Sequence, residues 1–155
     1  MTSNIYRKIM VATDGSENVR KAVETAVKIA KISGAKLYAV YVINYGVPSI
    51  TYPGNVGWEK IALDYFRAEG REAITYVENL AKAENVNVES VLLEGNPANE
   101  IVEFAEENDI DLIVTGTLGR TGIQRFLLGS VAENVMRHSK KAVLVVRGET
   151  AGKGK

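Results

Sequence analysis

The chain has 155 residues, with 19 lysines and arginines against 19 aspartates and glutamates, one histidine and no cysteine. Balanced charge excludes a broad electrostatic attraction to nucleic acid or to an anionic membrane, and the lack of cysteine excludes disulfides, zinc–thiolate sites and thiol nucleophiles. The length suits one domain with a real core; with no apolar signal region near Met1 and no apolar run of membrane-spanning length, the expectation is a soluble, cytoplasmic protein.

In chain order, Ile5 to Ala12 is a short apolar run followed at once by Thr13-Asp14-Gly15-Ser16, the pattern of a buried strand entering a tight turn. Val19, Ala22, Val23, Ala26, Val27 and Ala30 then recur at helical spacing, and Ser33-Gly34 closes that helix. Ala35 to Ile43, rich in β-branched and aromatic residues, is a second strand. Asn44 to Gly57 is broken by Gly46, Pro48, Pro53 and Gly54 and reads as a long loop, either a functional lid or a solvated insertion. Trp58 to Glu84 is a long helical pattern, with Ile61, Tyr65, Ala73, Val77, Leu80 and Ala81 expected to face inward.

Val86 to Leu93 reads as a strand at a sheet edge. Asn96-Pro97 is a helix start, asparagine as N-cap and proline in the first turn, with Ile101, Val102 and Ala105 toward the core and an end near Asn108. Ile110 to Thr115 is the fourth strand, Gly129 to His138 the last helix and Lys141 to Arg147 the fifth strand; residues 148–155 read as a mobile tail. The alternation predicts a single α/β domain over residues 1–147, an open parallel sheet of five strands with helices on both faces. Ligands of such sheets bind outside the carboxyl ends of the strands where the strand order reverses, so Ala12-Thr13-Asp14 and the loop after the fourth strand are expected to share one crevice.

That loop carries the chemistry. Gly116, Gly119, Gly122 and Gly129 let the backbone approach a ligand with no Cβ in the way, and the helix that follows directs its first N–H groups and positive dipole end at the loop, which suits a phosphate. Arg120 and Arg125 are its cations. The Walker pattern Gly-x-x-x-x-Gly-Lys-Ser/Thr and the dinucleotide pattern Gly-x-Gly-x-x-Gly are both absent. Without a loop lysine or an evident base to orient water, binding is better supported than phosphoryl transfer.

The spacing Gly116-x-x-Gly119, nine residues, then Gly129-Ser130, together with Ile9-Met-Val-Ala-Thr13-Asp14-Gly-Ser16, Gly95-Asn-Pro97 and Ala142-Val-Leu-Val-Val146, resembles the universal stress protein family, specifically its ATP-binding branch, over nearly the whole chain. The resemblance implies that the backbone at Ala12 and Thr13, with Asp14, meets the ribose and triphosphate, and that the backbone near Val42 reads the adenine. Thr115, Gly116, Gly119, Gly129, Ser130 and Val131 would line the phosphates and ribose, and by charge alone the loop cations Arg120 and Arg125 could each reach a phosphate or ribose or lie solvated. It further implies a Rossmann-like strand order 3-2-1-4-5, Mg²⁺ or Mn²⁺ with the triphosphate, and a homodimer through Ala142 to Val146; Asp14, a hard oxygen ligand beside the triphosphate, suits that metal. The function implied is a nucleotide-dependent switch in stress response acting on a protein partner. A slow ATPase, an adenylate-forming enzyme and an AMP or cyclic AMP sensor are the alternatives.

Two site residues also have a purely structural reading. Asp14-Gly-Ser-Glu17 and Ser130-Val-Ala-Glu133 both fit a capping box, in which the first residue caps a helix and the glutamate reaches back. His138, near a helix C-terminus, is expected to stabilise the dipole rather than to catalyse, and Trp58, Tyr45 or Tyr52 to pack or lie in the loop rather than to cover a base.

Overall fold

The computed structural model describes residues 5–44, 56–117 and 128–148. The strands are β1 (Lys8–Ala12), β2 (Lys36–Ile43), β3 (Val88–Glu94), β4 (Leu112–Gly116) and β5 (Ala142–Val146). The helices are α1 (Arg20–Ser33), α2 (Val56–Ala83), α3 (Pro97–Glu107) and α4 (Ser130–His138), with a short 3₁₀ turn at Glu17–Val19 ahead of α1. All pairings are parallel, as the alternation of elements implied, and the order is β3-β2-β1-β4-β5, the Rossmann-like order expected.

The period-two alternation of the strands divides the core into two layers. Ile9, Val11, Leu37, Ala39, Tyr41, Ile43, Leu112 and Val114 face one side and pack with Val23, Val27, Ala30, Ala73 and Val77 of α1 and α2. Met10, Tyr38, Val40 and Ile113 face the other and pack with Ala98, Ile101 and Ala105 of α3 and Val135 of α4. Strand order reverses at β1, between β2 and β4, so the switch point lies at the carboxyl ends of β1 and β4.

Three helices end by the same device. Gly34 (φ 69°), Asn85 (φ 59°) and Asp109 (φ 52°) adopt the left-handed conformation, and the next residue donates back into the helix: Ala35 to the Ala30 carbonyl at 2.9 Å, Val86 to Ala81 at 2.8 Å and Ile110 to Ala105 at 3.0 Å. The sequence signalled only the glycine; asparagine and aspartate reach this conformation at a small steric cost.

Four expectations need correction. The first strand begins at Lys8 rather than Ile5, because β2 starts opposite Lys8 and β4 opposite Ile9, which leaves Ile5 with no strand to pair with and 74% exposed. Instead, Asp111 Oδ2 accepts from the N–H groups of Arg7 and Lys8 at 2.8 and 3.0 Å, so the fourth strand starts only after it, at Leu112. The two capping boxes do not form: Ser16 stands at the N-cap of the 3₁₀ turn and Gly129 at the N-cap of α4, and Glu133 pairs with Arg137 at 2.9 Å. Finally, Ile61 and Tyr65 are 61% and 58% exposed, whereas Ala73, Val77 and Ala81 are buried and Leu80 is half-buried. The buried stripe of α2 runs through Phe66, Gly70, Ala73, Val77 and Ala81.

The exposure of Ile61 follows from length. The 28 residues of α2 extend about 42 Å at 1.5 Å per residue, while the 8 residues of β2 cover about 26 Å. The first turns of α2 therefore overhang the sheet and have no core to face.

The N-cap of α3 is as expected, with Asn96 Oδ1 accepting from Asn99 N–H at 3.1 Å and Pro97 in the first turn. Asn96→Ala is expected to lower stability by about 1 kcal/mol, the usual worth of such a cap, measured as a shift in the urea midpoint at unchanged slope.

Candidate functional site

A crevice of about 430 Å³ opens at the switch point. It is lined by Ala12, Thr13 and Asp14 after β1, by Val42 in β2, by Thr115 and Gly116 at the end of β4, and by Gly129, Ser130 and Val131 at the start of α4. Those are all the site residues the sequence singled out except Gly119 and Arg120, which lie outside the described residues, as do Gly122, Arg125 and most of the long loop. Sequence reasoning missed Val19, Val40, Tyr41, Ile43, Asn44, Phe66, Pro97, Ile101, Thr117 and Ala132, which complete the lining. Ile101 had been assigned to the core, which it also joins. Phe66 carries no signal beyond its place on the buried stripe of α2.

Each part of the site is held by local bonding. Thr13 N–H donates to the Val40 carbonyl at 2.9 Å, which ties the end of β1 to β2. Thr13 Oγ1 then accepts from Gly15 N–H at 3.0 Å and Asp14 Oδ1 from Ser16 N–H at 2.9 Å, so the chain turns sharply. Gly15 has φ +80°, and a Cβ there would lie 3.2 Å from the Ala73 Cβ of α2, which leaves only glycine comfortable in the turn. Asp14 is thus fixed at the mouth, its carboxylate committed in part to the turn rather than to capping α1.

Across the crevice the two halves of the glycine pattern meet. Gly129 N–H donates to the Thr117 carbonyl at 2.5 Å, and Thr117 N–H to the Val146 carbonyl at 3.2 Å, which seats the start of α4 on the end of β4 and β5. The first helical bond of α4 runs from Glu133 N–H to the Gly129 carbonyl at 3.0 Å. The N–H groups of Ser130, Val131 and Ala132 precede that bond and have no acceptor within the helix. All three residues line the crevice. Ser130, as the first helical residue, does not cap and is exposed, and it lines the same crevice as the N–H groups.

Among the described lining residues Asp14 is the one charged side chain. Positive potential there comes from backbone, the unbonded N–H groups and dipole of α4. No group of three or more histidine, aspartate or glutamate side chains suited to a metal occurs among the described residues. The shifted titrations lie elsewhere: a hydrogen bond to Glu89 raises Lys36, at the amino end of β2, and one from Lys31 lowers Glu84, beyond the end of α2. His138, exposed in the last turn of α4, stands apart from the crevice lining. No helix among the described residues is long and apolar enough to cross a membrane.

Comparison with known proteins gives the same outline. A universal stress protein of Methanocaldococcus jannaschii is 45% identical over 144 residues, covering 93% of this chain and 84% of the relative. Among solved structures, hypothetical protein MJ0577 superposes with a TM-score of 0.82 at 27% identity, covering 95% of this chain and 99% of its own. A universal stress protein solved in complex with cAMP superposes at 0.66 with 34% identity, covering 93% and 98%. The universal stress protein of Archaeoglobus fulgidus solved in complex with dAMP superposes at 0.63 with 27% identity, covering 92% and 99%. The profile of the Universal stress protein family matches residues 5–147, and the chain belongs to that family.

Proposed function

We propose that the crevice binds an adenine nucleotide, ATP in the first place, and that the protein works as a nucleotide-dependent switch in a cytoplasmic stress response rather than as an efficient enzyme. The observation that carries this reading is the meeting of Gly116 with Gly129-Ser130 around the unbonded N–H groups of α4, opposite Ala12-Thr13-Asp14. Phosphates at a helix N-terminus and a base toward β2 fill such a crevice without a cationic side chain from the described wall. In this reading Thr115, Gly116, Gly119, Arg120, Gly129, Ser130 and Val131 meet the phosphates and ribose, and the backbone at Val42 meets the adenine.

Relatives of the same fold solved with cAMP and dAMP support an adenosine monophosphate unit as the shared core of the ligand. Asp14 is a hard oxygen donor that suits Mg²⁺ or Mn²⁺, and as the one carboxylate of the described wall it would hold such an ion only together with phosphate oxygens. The ion's contribution would be to neutralise phosphate charge. Calorimetric titration with ATP, AMP and cAMP, with and without Mg²⁺, tests the reading. Saturable ATP binding that strengthens with Mg²⁺ is expected, and no heat with any of the three would remove it. Ser130→Ala, which deletes one charge-assisted hydrogen bond at the phosphate, is expected to weaken ATP binding by about tenfold.

β5 is the outer strand on its side, its last four residues half-buried in the monomer. We propose pairing of Ala142 to Val146 with a second copy. Light scattering is expected to give a dimer, and Val145→Lys, which charges the edge, a monomer.

A further inference from the structure

We infer that the purine of the bound nucleotide stacks on Phe66 of α2, which makes Phe66 the side chain that adds affinity for the base beyond that of the phosphates; this rests on the nucleotide reading above. The crevice runs from the phosphate end at β4 and α4, past the end of β1, to β2 and α2. Two strand spacings separate β4 from β2, about 10 Å, room for a ribose between the phosphates and a base. At the β2 end the walls are Tyr41, Ile43 and Phe66 on the α2 side and Val42, Pro97 and Ile101 on the α3 side, with no charged side chain among them. An apolar lining of that kind takes an aromatic ring, and an aromatic side chain is the partner a base stacks on best.

Phe66 is positioned for this by its own helix. One turn further on, Gly70 lies so close to the sheet that a Cβ would stand 2.8 Å from both Tyr41 Cδ1 and Leu92 Cδ1. The absent side chain sets the distance of α2 from β2, and the ring one turn earlier reaches the crevice at the carboxyl end of β2. Tyr65 braces it edge-on, with centroids 5.7 Å apart and the planes at 72°. Phe66 is half-buried, packed against the core and also part of the crevice lining.

The test is to titrate wild type, Phe66→Ala and Phe66→Trp with ATP and with inorganic tripolyphosphate. Phe66→Ala is expected to weaken ATP about tenfold, the scale of one stacking contact, to leave tripolyphosphate unchanged, and to be rescued by Phe66→Trp. Because the alanine variant also thins the core, the wild type is read by nuclear Overhauser effects between purine H2 or H8 and the Phe66 ring protons, which are expected and do not depend on a variant folding. Equal ATP affinity in Phe66→Ala, or bound ATP with no such contact, overturns the stacking while leaving nucleotide binding in place. A wild type that binds neither ligand removes both.

Discussion

Gly129→Val is expected to weaken ATP binding at least tenfold while leaving the fold nearly as stable as before. The two effects separate because of the local geometry. Gly129 sits at φ −75° and ψ 166°, extended backbone that valine adopts readily, so the substitution adds no strain of the kind a positive φ would bring. The loss of an N-cap glycine costs up to about 1 kcal/mol. The added branched side chain, however, stands beside the N–H groups of Ser130, Val131 and Ala132, where a phosphate oxygen must come within about 3 Å to accept a hydrogen bond. Displacing it by one methyl group loses several charge-assisted bonds at once. Calorimetry gives the affinity and a thermal melt without ligand gives the fold. In wild type, ATP at about 100 times its Kd should add about 2.7 kcal/mol to stability, and in the variant, with a Kd at least tenfold higher, this gain should fall to about 1.4 kcal/mol or less. Equal affinity in both proteins would move the phosphates away from the start of α4.

The second large effect is a contrast of sign within one helix. Gly57→Ala is expected to stabilise the protein by about 0.5 kcal/mol, and Gly70→Ala to destabilise it by about 1–2 kcal/mol. Both glycines lie in α2, where alanine is intrinsically better by up to about 1 kcal/mol. A Cβ on Gly57 meets nothing within 4 Å, so only the propensity remains, reduced by its place in the first turn. A Cβ on Gly70 would lie 2.8 Å from the Tyr41 ring and from Leu92 Cδ1. Leu92 is half-buried and can rotate away, but Tyr41 is 6% exposed and held in the core. Overpacking of that kind costs about 1–3 kcal/mol, more than propensity returns. Gly70→Val should cost about 3 kcal/mol at the upper end of that range, and because Tyr41 also lines the crevice, it should weaken ATP binding as well. Urea denaturation of the three variants checks the signs; a stabilised Gly70→Ala would mean that α2 lifts off the sheet at little cost.

How much of this was legible follows from where the information is local. Runs such as Lys36–Ile43 and the glycines flanking them declare strand and turn without reference to the rest of the chain, and the same holds for Asn96-Pro97 before α3. The glycine pattern is legible for a similar reason: Gly116 and Gly129-Ser130 stand at a fixed spacing on either side of one loop. The capping boxes at Asp14 and Ser130 are equally local patterns, yet they fail. Each helix starts where its predecessor strand delivers it, and the bonds of Thr13 to Val40 and of Gly129 to Thr117 fix that start from outside the helix.

The chain by itself determined the alternation of elements, because each element is read from a short stretch, and the neutral, cysteine-free character and the glycine spacing from Gly116 to Ser130, because composition and spacing need no fold. Only the tertiary structure decided that Tyr65 faces outward and Phe66 inward, that Ile61 overhangs the sheet, and that Val42, Pro97 and Phe66 from three separate elements share one crevice. The phase of a helix whose hydrophobic residues run almost all the way round is set by the surface it meets. For α2 that surface is Tyr41 and Leu92, and Gly70 is the point at which they come closest.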